Sequence, residues 1–221
     1  MGFIKKVEGR IKEISASLLV SPYDWDLPRL LDNEMENNKL YLKFKKSPRI
    51  TTLHSWTGRD LVERGQHVVL LNHTKQSIEY YVQYEFGKFR GIKTITQIAL
   101  WAHKEFPLPN IEGLSAIKWT FFKYLLPKAQ AISADSIQTE AGKTFWLKRL
   151  QDACDSDYMA YVVLRDQNAV IALKEGTDIE AVDKYVWGYE KHHEYRKAFI
   201  SDKNIFPDAV SVTDYLKSIQ K

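Results

Sequence analysis

The chain has 221 residues, and 32 Lys+Arg against 28 Asp+Glu leave a formal charge of +4. With 44% hydrophobic and 27% charged residues it can build a sizeable core, which excludes a disordered or low-complexity protein. The single cysteine, Cys154, excludes an internal disulfide framework and a multi-cysteine metal site. The longest apolar stretches, such as Tyr158 to Leu164, fall far short of the roughly 20 residues that cross a bilayer. No apolar region follows the basic segment Met1 to Arg10, so the expectation is a soluble, cytoplasmic protein with no membrane partner. Aromatic residues make up 13% of the chain, a sign of a generous core.

In chain order, Gly2 to Leu19 places Phe3, Ile4, Val7, Ile11, Ile14 and Leu18 at helical spacing. Asp24 to Asn38 is acidic and carries Pro28, which predicts a loop and a short helix. Lys39 to Lys46 (KLYLKFKK) alternates apolar and basic residues and predicts a lysine-protected edge strand. Gln66 to Leu71, Ser77 to Phe86 and Lys93 to Lys104 then predict an antiparallel meander, with turns at Asn72 to Gln76 and Gly87 to Gly91.

After the proline-bracketed loop Phe106 to Gly113 comes a helix pattern from Leu114 to Leu126, stopped by Pro127. Lys128 to Ala134 predicts a strand and Asp135 to Ala153 a helix. Tyr158 to Leu164, Ala169 to Leu173 and Tyr195 to Ile200 predict strands, and Ser211 to Ile219 a closing helix. The order predicts an α/β (α+β) fold with a mixed, mostly antiparallel sheet flanked by helices.

This succession from Gly65 to Leu164 resembles the GNAT superfamily of CoA-dependent N-acyltransferases. Three segments carry the resemblance. Thr96 to Glu105 is similar to the family's central strand, which splays from its neighbour beside the acetyl group. There the backbone of Leu100, Trp101 and Ala102 would pair with the pantetheine arm as an added strand would. Glu112 to Ile117 stands where the family binds pyrophosphate on backbone N–H groups at a helix start, implying Gly113, Leu114, Ser115 and Ala116, with Lys118 as a nearby cation. Here Glu112 occupies the place of the family's basic or amide residue. Phe145-Trp146 resembles an aromatic pair whose tyrosine protonates the departing thiolate; Trp146 has no hydroxyl to do so. The resemblance implies acetyl-CoA, or another acyl-CoA, as co-substrate, no metal, and an amine as acceptor. It also divides the chain into an added segment 1–64, a core 65–180 and a completing segment 181–221.

Acyl transfer needs a base for the ammonium proton. Alternation puts Gln97, Ala99, Trp101, His103 and Glu105 on one face of the strand, so His103 and Glu105 are the candidate catalytic pair. His103 is favoured because an ordinary imidazole titrates near 6.5. Glu79, Tyr81 and Glu85 are secondary candidates. No HExxH, G-x-S-x-G, Walker A or G-x-G-x-x-G occurs, and the aspartates around Cys154 disfavour a thiolate. Two basic-aromatic stretches, Lys39 to Arg49 and Trp187 to Lys197, keep open a second class, a non-catalytic module of this fold that binds nucleic acid or protein.

Overall fold

The computed structural model describes residues 27–103, 107–134, 140–165, 167–174, 176–179 and 196–219. The expected helix over Gly2 to Leu19, the start of the helix at Asp135, and most of Trp187 to Lys197 lie outside them. The protein is mixed α/β, with helices beside a large, mostly antiparallel sheet. The chain clusters into two compact units, Met1–Tyr84 with Ile98–Ile117, and Glu85–Gln97 with Lys118–Lys221.

The first unit holds helices α1 (Leu27–Asp32) and α2 (Glu34–Lys45) and strands β1 (Thr51–Trp56), β2 (Arg59–Arg64) and β3 (His67–Asn72). It also takes the first part of β4 (Ser77–Phe89) and the last part of β5 (Ile92–Ala102). Strands β1 to β4 pair antiparallel in sequence order, and β5 returns beside β4 through the turn at Arg90-Gly91, both at positive φ. The expected meander is therefore present, but the turn is shorter than Gly87 to Gly91. Gly87 stays in the strand, since a left-handed pair at the tip is all a two-residue hairpin needs.

The expected edge strand at Lys39 to Lys46 is instead the second half of α2. The octet satisfies both periods, and its neighbours decide. Asn33 caps the helix by accepting from the Glu36 N–H at 3.1 Å, and Glu34 and Glu36 open it while Lys43 and Lys45 close it, as the dipole favours. Asn37, Leu40, Tyr41 and Phe44 form the buried stripe at spacings of three and four. Leu40, Tyr41 and Phe44 pack with Leu31 on Val62, Val69, Leu71, Ile78, Tyr81 and Trp101 of the sheet. Because Tyr41 and Phe44 are sealed in this core, they offer no stacking platform to a nucleic acid. Asn37 pins the helix to β4, donating to the Ile78 carbonyl at 3.0 Å and accepting from its N–H at 2.6 Å.

The second unit holds the remainder of β4 and β5 with β8 (Ala131–Ser133), β9 (Met159–Leu164), β10 (Ala169–Leu173), β11 (Arg196–Ser201) and β12 (Val210–Ser211). Strand β11 comes late in the chain yet inserts between β8 and β9, antiparallel to both. Parallel pairing occurs between β5 and β8 and between β10 and β12. Tyr161, Val163, Phe199 and Phe206 fill one face of this sheet, with Phe89 4.8 Å from Phe199 and Tyr161 5.1 Å from Phe206. Helix α4 (Glu140–Cys154) packs on β9 and β11, and α5 (Val212–Ile219) closes the chain against β10 and β12.

The expected helix from Leu114 is also revised. Leu114–Ser115 is a strand, β7, paired with β6 (Asn110–Ile111), and helix α3 begins only at Ala116–Lys118. It widens at once into a π-helical segment, Trp119–Leu125, and tightens to a 3₁₀ turn, Leu126–Lys128, that contains Pro127. Four of the seven residues of the π-helical segment are aromatic.

Candidate functional site

The candidate base sits where β5 ends. Ala99 and Trp101 join the core beneath α1 and α2, and the Trp101 indole N–H donates to Asp32 at 3.1 Å. The strand face expected to be polar is thus covered by helices at these two residues. His103, the next residue on that face, is half-buried, with its ring edge-on to Trp101 at 5.8 Å. Its backbone N–H donates to the Glu79 carbonyl on β4 at 2.9 Å. Alternation in an antiparallel ladder then turns the backbone groups of Ala102, and of Leu100 before it, to the other edge of β5. Glu105, the other candidate, lies outside the described residues.

Glu79 owes its position to a β-bulge. Ile78 and Tyr81 both enter the helix-covered core, which strict alternation forbids for residues three apart, and the register slips between Leu70 and Leu71 opposite them. The Glu79 side chain is 1% exposed. Its Oε2 forms an ion pair with Arg59 Nε at 2.7 Å, and its Oε1 accepts from Arg59 Nη2 at 3.2 Å and from Asn72 Nδ2 at 2.7 Å. Both oxygens are engaged, so this secondary candidate is a structural ion pair and not a base. The Tyr81 hydroxyl and His67 Nδ1 share a hydrogen bond at 2.8 Å, and burial pushes the hydroxyl above the ordinary tyrosine range.

Burial, reinforced by the charge of Arg64, holds the His67 imidazole down to about 4. It is neutral in the fold and charged in the unfolded chain below its ordinary value of 6.5. Because the unfolded state then binds the extra proton, stability is full above about pH 6.5, falls as pH drops towards 4, and has no further dependence on this group below that. Urea titrations across this window should show that slope in the parent and its loss in His67→Gln; identical slopes would remove His67 as its source.

Sequence reasoning missed one chain of side chains. His73, in the turn after β3, bonds Asp60 Oδ2 through Nε2 at 2.8 Å and the Tyr41 hydroxyl through Nδ1 at 3.0 Å. With Nε2–H donated to the carboxylate, Nδ1 accepts from the tyrosine. Burial alone would raise the Asp60 carboxyl, but hydrogen bonds from Ser55 and His73 hold it below its ordinary value. The partners lie on α2, β2 and a turn, so no local spacing announces them.

Of the residues expected to hold pyrophosphate at a helix start, Ala116 opens α3, while Gly113, Leu114 and Ser115 lie in the hairpin that precedes it. Glu112 and Gly113, at φ 52° and 78°, form the tip of the β6–β7 hairpin, where two left-handed residues are required. Leu114 and Ser115 are its return strand, and the Ala116 N–H is taken by the Pro109 carbonyl at 3.0 Å. The Trp56 indole donates to the Asn110 carbonyl at 3.2 Å and holds this hairpin to β1. Lys118 and Trp146 belong to the second unit. The Lys118 ammonium pairs with Asp152, which also takes Arg149 at 2.6 Å. Trp146 is fully buried, edge-on to Phe121 at 6.2 Å and Phe145 at 6.0 Å. Its indole N–H has no partner among the described residues.

Among the described residues no group of three or more His, Cys, Asp or Glu side chains could hold a metal ion. Burial and the Asp155 charge push the Cys154 thiol up to about 12, which leaves it unreactive. No helix among the described residues is long and apolar enough to cross a membrane. Comparison with known proteins returns no match, whether to family models, curated proteins or solved structures.

Proposed function

We propose that the chain is a divergent GNAT-like protein that transfers an acyl group, acetyl in the simplest case, from CoA to an amine. One observation carries the reading. Strand β5 pairs parallel with β8 over Thr94 to Thr96 and then runs on to Ala102, beyond the last rung of that ladder. A central strand that outruns its parallel neighbour leaves main-chain groups for an extended ligand arm, here those of Leu100 and Ala102. In this reading His103 takes the ammonium proton, directly or through water. The free amine attacks the thioester carbonyl, a C–N bond forms, and the C–S bond breaks. The attacking nitrogen gives up its second proton to water as the amide forms, and CoA leaves as a thiolate that takes a proton from the same solvent, because the Trp146 indole is no acid at neutral pH.

A second reading, a non-catalytic binding module of the same fold, draws on the Lys118–Asp152 ion pair and the sealed Trp146, which withdraw two groups from cofactor binding. Isothermal titration with acetyl-CoA separates the two. Binding tighter than millimolar is expected, and its absence would sink the acyltransferase. With an acceptor in hand, His103→Ala should slow turnover at least about a hundredfold with CoA affinity unchanged. Unaltered turnover would move the base elsewhere.

A further inference from the structure

Within the first unit, β2 ends on a cation that has no counter-ion. The Arg64 guanidinium lies 6.0 Å from the centre of the Phe44 ring on α2. None of its five N–H donors finds an acceptor among the described residues, and one of its nitrogens, Nη1, is buried in that state. Arg59, at the other end of the same strand, meets the Glu79 carboxylate at 2.7 Å. The carboxylate next to Arg64 along the chain is Glu63, and it accepts from the Tyr84 hydroxyl at 2.5 Å. Two basic side chains border Arg64. Lys43 precedes Phe44 on α2, is half-buried, and has no hydrogen-bond or ion-pair partner among the described residues. Burial and the Arg64 charge together lower its ammonium below the ordinary lysine value. His67 stands opposite Arg64 in the β2–β3 ladder, with its ring 6.4 Å from that of Phe44, and the same guanidinium acts on it. Arg64 thus faces Lys43 and His67 alike, and no carboxylate offsets its charge on either.

His67 is neutral in the fold, so the corner holds two unit charges of one sign, Lys43 and Arg64. Such a pair repels until an anion joins it, and a partly desolvated guanidinium draws an anion more strongly than a hydrated one. A carboxylate offsets one of the two charges. A phosphate monoester, largely a dianion at about pH 8, offsets both. Its oxygens also suit a flat two-pronged fork beside a compact ammonium. The phosphodiesters of a nucleic acid carry one charge each, and Tyr41 and Phe44 are sealed in the core, where no base can stack on them. We propose that Arg64 and Lys43, at the corner between α2 and the end of β2, bind a phosphate monoester group. The guanidinium meets two of its oxygens and the ammonium a third. The site does not rest on the acyltransferase reading, because it needs neither a thioester nor His103.

The experiment is a thermal melt of the full chain at about pH 8 with increasing phenyl phosphate, against sodium chloride of equal ionic strength. A ligand of the folded state raises the melting temperature with its concentration, which yields the affinity. The parent should show that rise. Arg64→Gln and Lys43→Gln should each weaken the affinity at least about tenfold, the lower end for a hydrogen bond to a charged group. Lys39→Gln is the control, since Lys39 already pairs with Glu36, and it should match the parent. In chloride alone Lys43→Gln should melt no lower than the parent, because it removes a like charge. A lower melting temperature there would reveal a partner for Lys43 within the fold and overturn the proposal. No rise with phenyl phosphate overturns it too, as does an equal rise in Arg64→Gln or an equal rise with acetate. An oligothymidylate without a terminal phosphate that binds more tightly than phenyl phosphate would assign the corner to nucleic acid, which also overturns it. Phosphatidylcholine vesicles with and without phosphatidic acid distinguish the source. Sedimentation with phosphatidic acid that is lost in Arg64→Gln assigns the phosphate to a lipid headgroup, and no sedimentation assigns it to a soluble ligand.

Discussion

Replacing Arg59 by methionine is expected to lower the unfolding free energy by about 3 kcal/mol, the lower end of what removing one partner from a buried ion pair costs. The Glu79 carboxylate is 1% exposed and would keep a single donor, Asn72 at 2.7 Å. Arg59 is 29% exposed, so water can enter in place of the guanidinium and moderate the loss. Methionine retains the apolar stem, which confines the change to the charge. The second variant, Arg59→Met with Glu79→Gln, removes the stranded charge and should recover at least half of the deficit. Urea denaturation of the parent and both variants checks this. A loss below about 1 kcal/mol would place the pair among screened surface bridges, and the bulge that positions Glu79 would then need another purpose.

That bulge also marks where the sequence stops being informative. Ser77 to Phe86 reads as a regular strand, and strict alternation puts Glu79 beside Tyr81. The slip that separates them is set by the packing of Ile78 and Tyr81 under α2, which involves residues some forty positions earlier. Local signals did identify β3, β9, β10, β11 and α5 to within a residue or two, because their apolar runs are short and bounded by turn residues. They failed at Lys39 to Lys46, where an octet fits both periods and the Asn33 cap decides, and at Glu112-Gly113, where a glycine before a helix serves a hairpin tip instead. Strands β1 and β2 carry polar, half-exposed sequences with little periodic contrast. The insertion of β11 between β8 and β9 is a long-range pairing that no window of sequence encodes.

The site was legible to the same degree. His103 follows from alternation along one strand, and the structure places it half-buried at that strand's end. The chain Asp60–His73–Tyr41 needs three elements brought together, and a histidine in a polar turn gives no sign of it. Lys118 looks available in sequence only because its partner, Asp152, comes from another helix.

Trp146 tests whether the aromatic pair on α4 has any part in cofactor chemistry or serves the core alone. Trp146→Ala should cost about 3–5 kcal/mol, because the ring fills a fully buried position between Phe121 and Phe145. Trp146→Phe should cost less than about 1.5 kcal/mol, since the apolar area lost is offset by removing a buried N–H that has no partner among the described residues. Trp146→Tyr tests the chemistry. If the position faced the departing thiolate, the new hydroxyl would supply the missing proton and raise turnover. Sealed in the core, it instead buries a hydroxyl without an assured acceptor, lowers the melting temperature and leaves both turnover and acetyl-CoA affinity where they were. A tenfold change in acetyl-CoA affinity in the phenylalanine variant would show that the ring lines the cofactor site after all, and the thiolate's proton would then have to be sought among groups around α4.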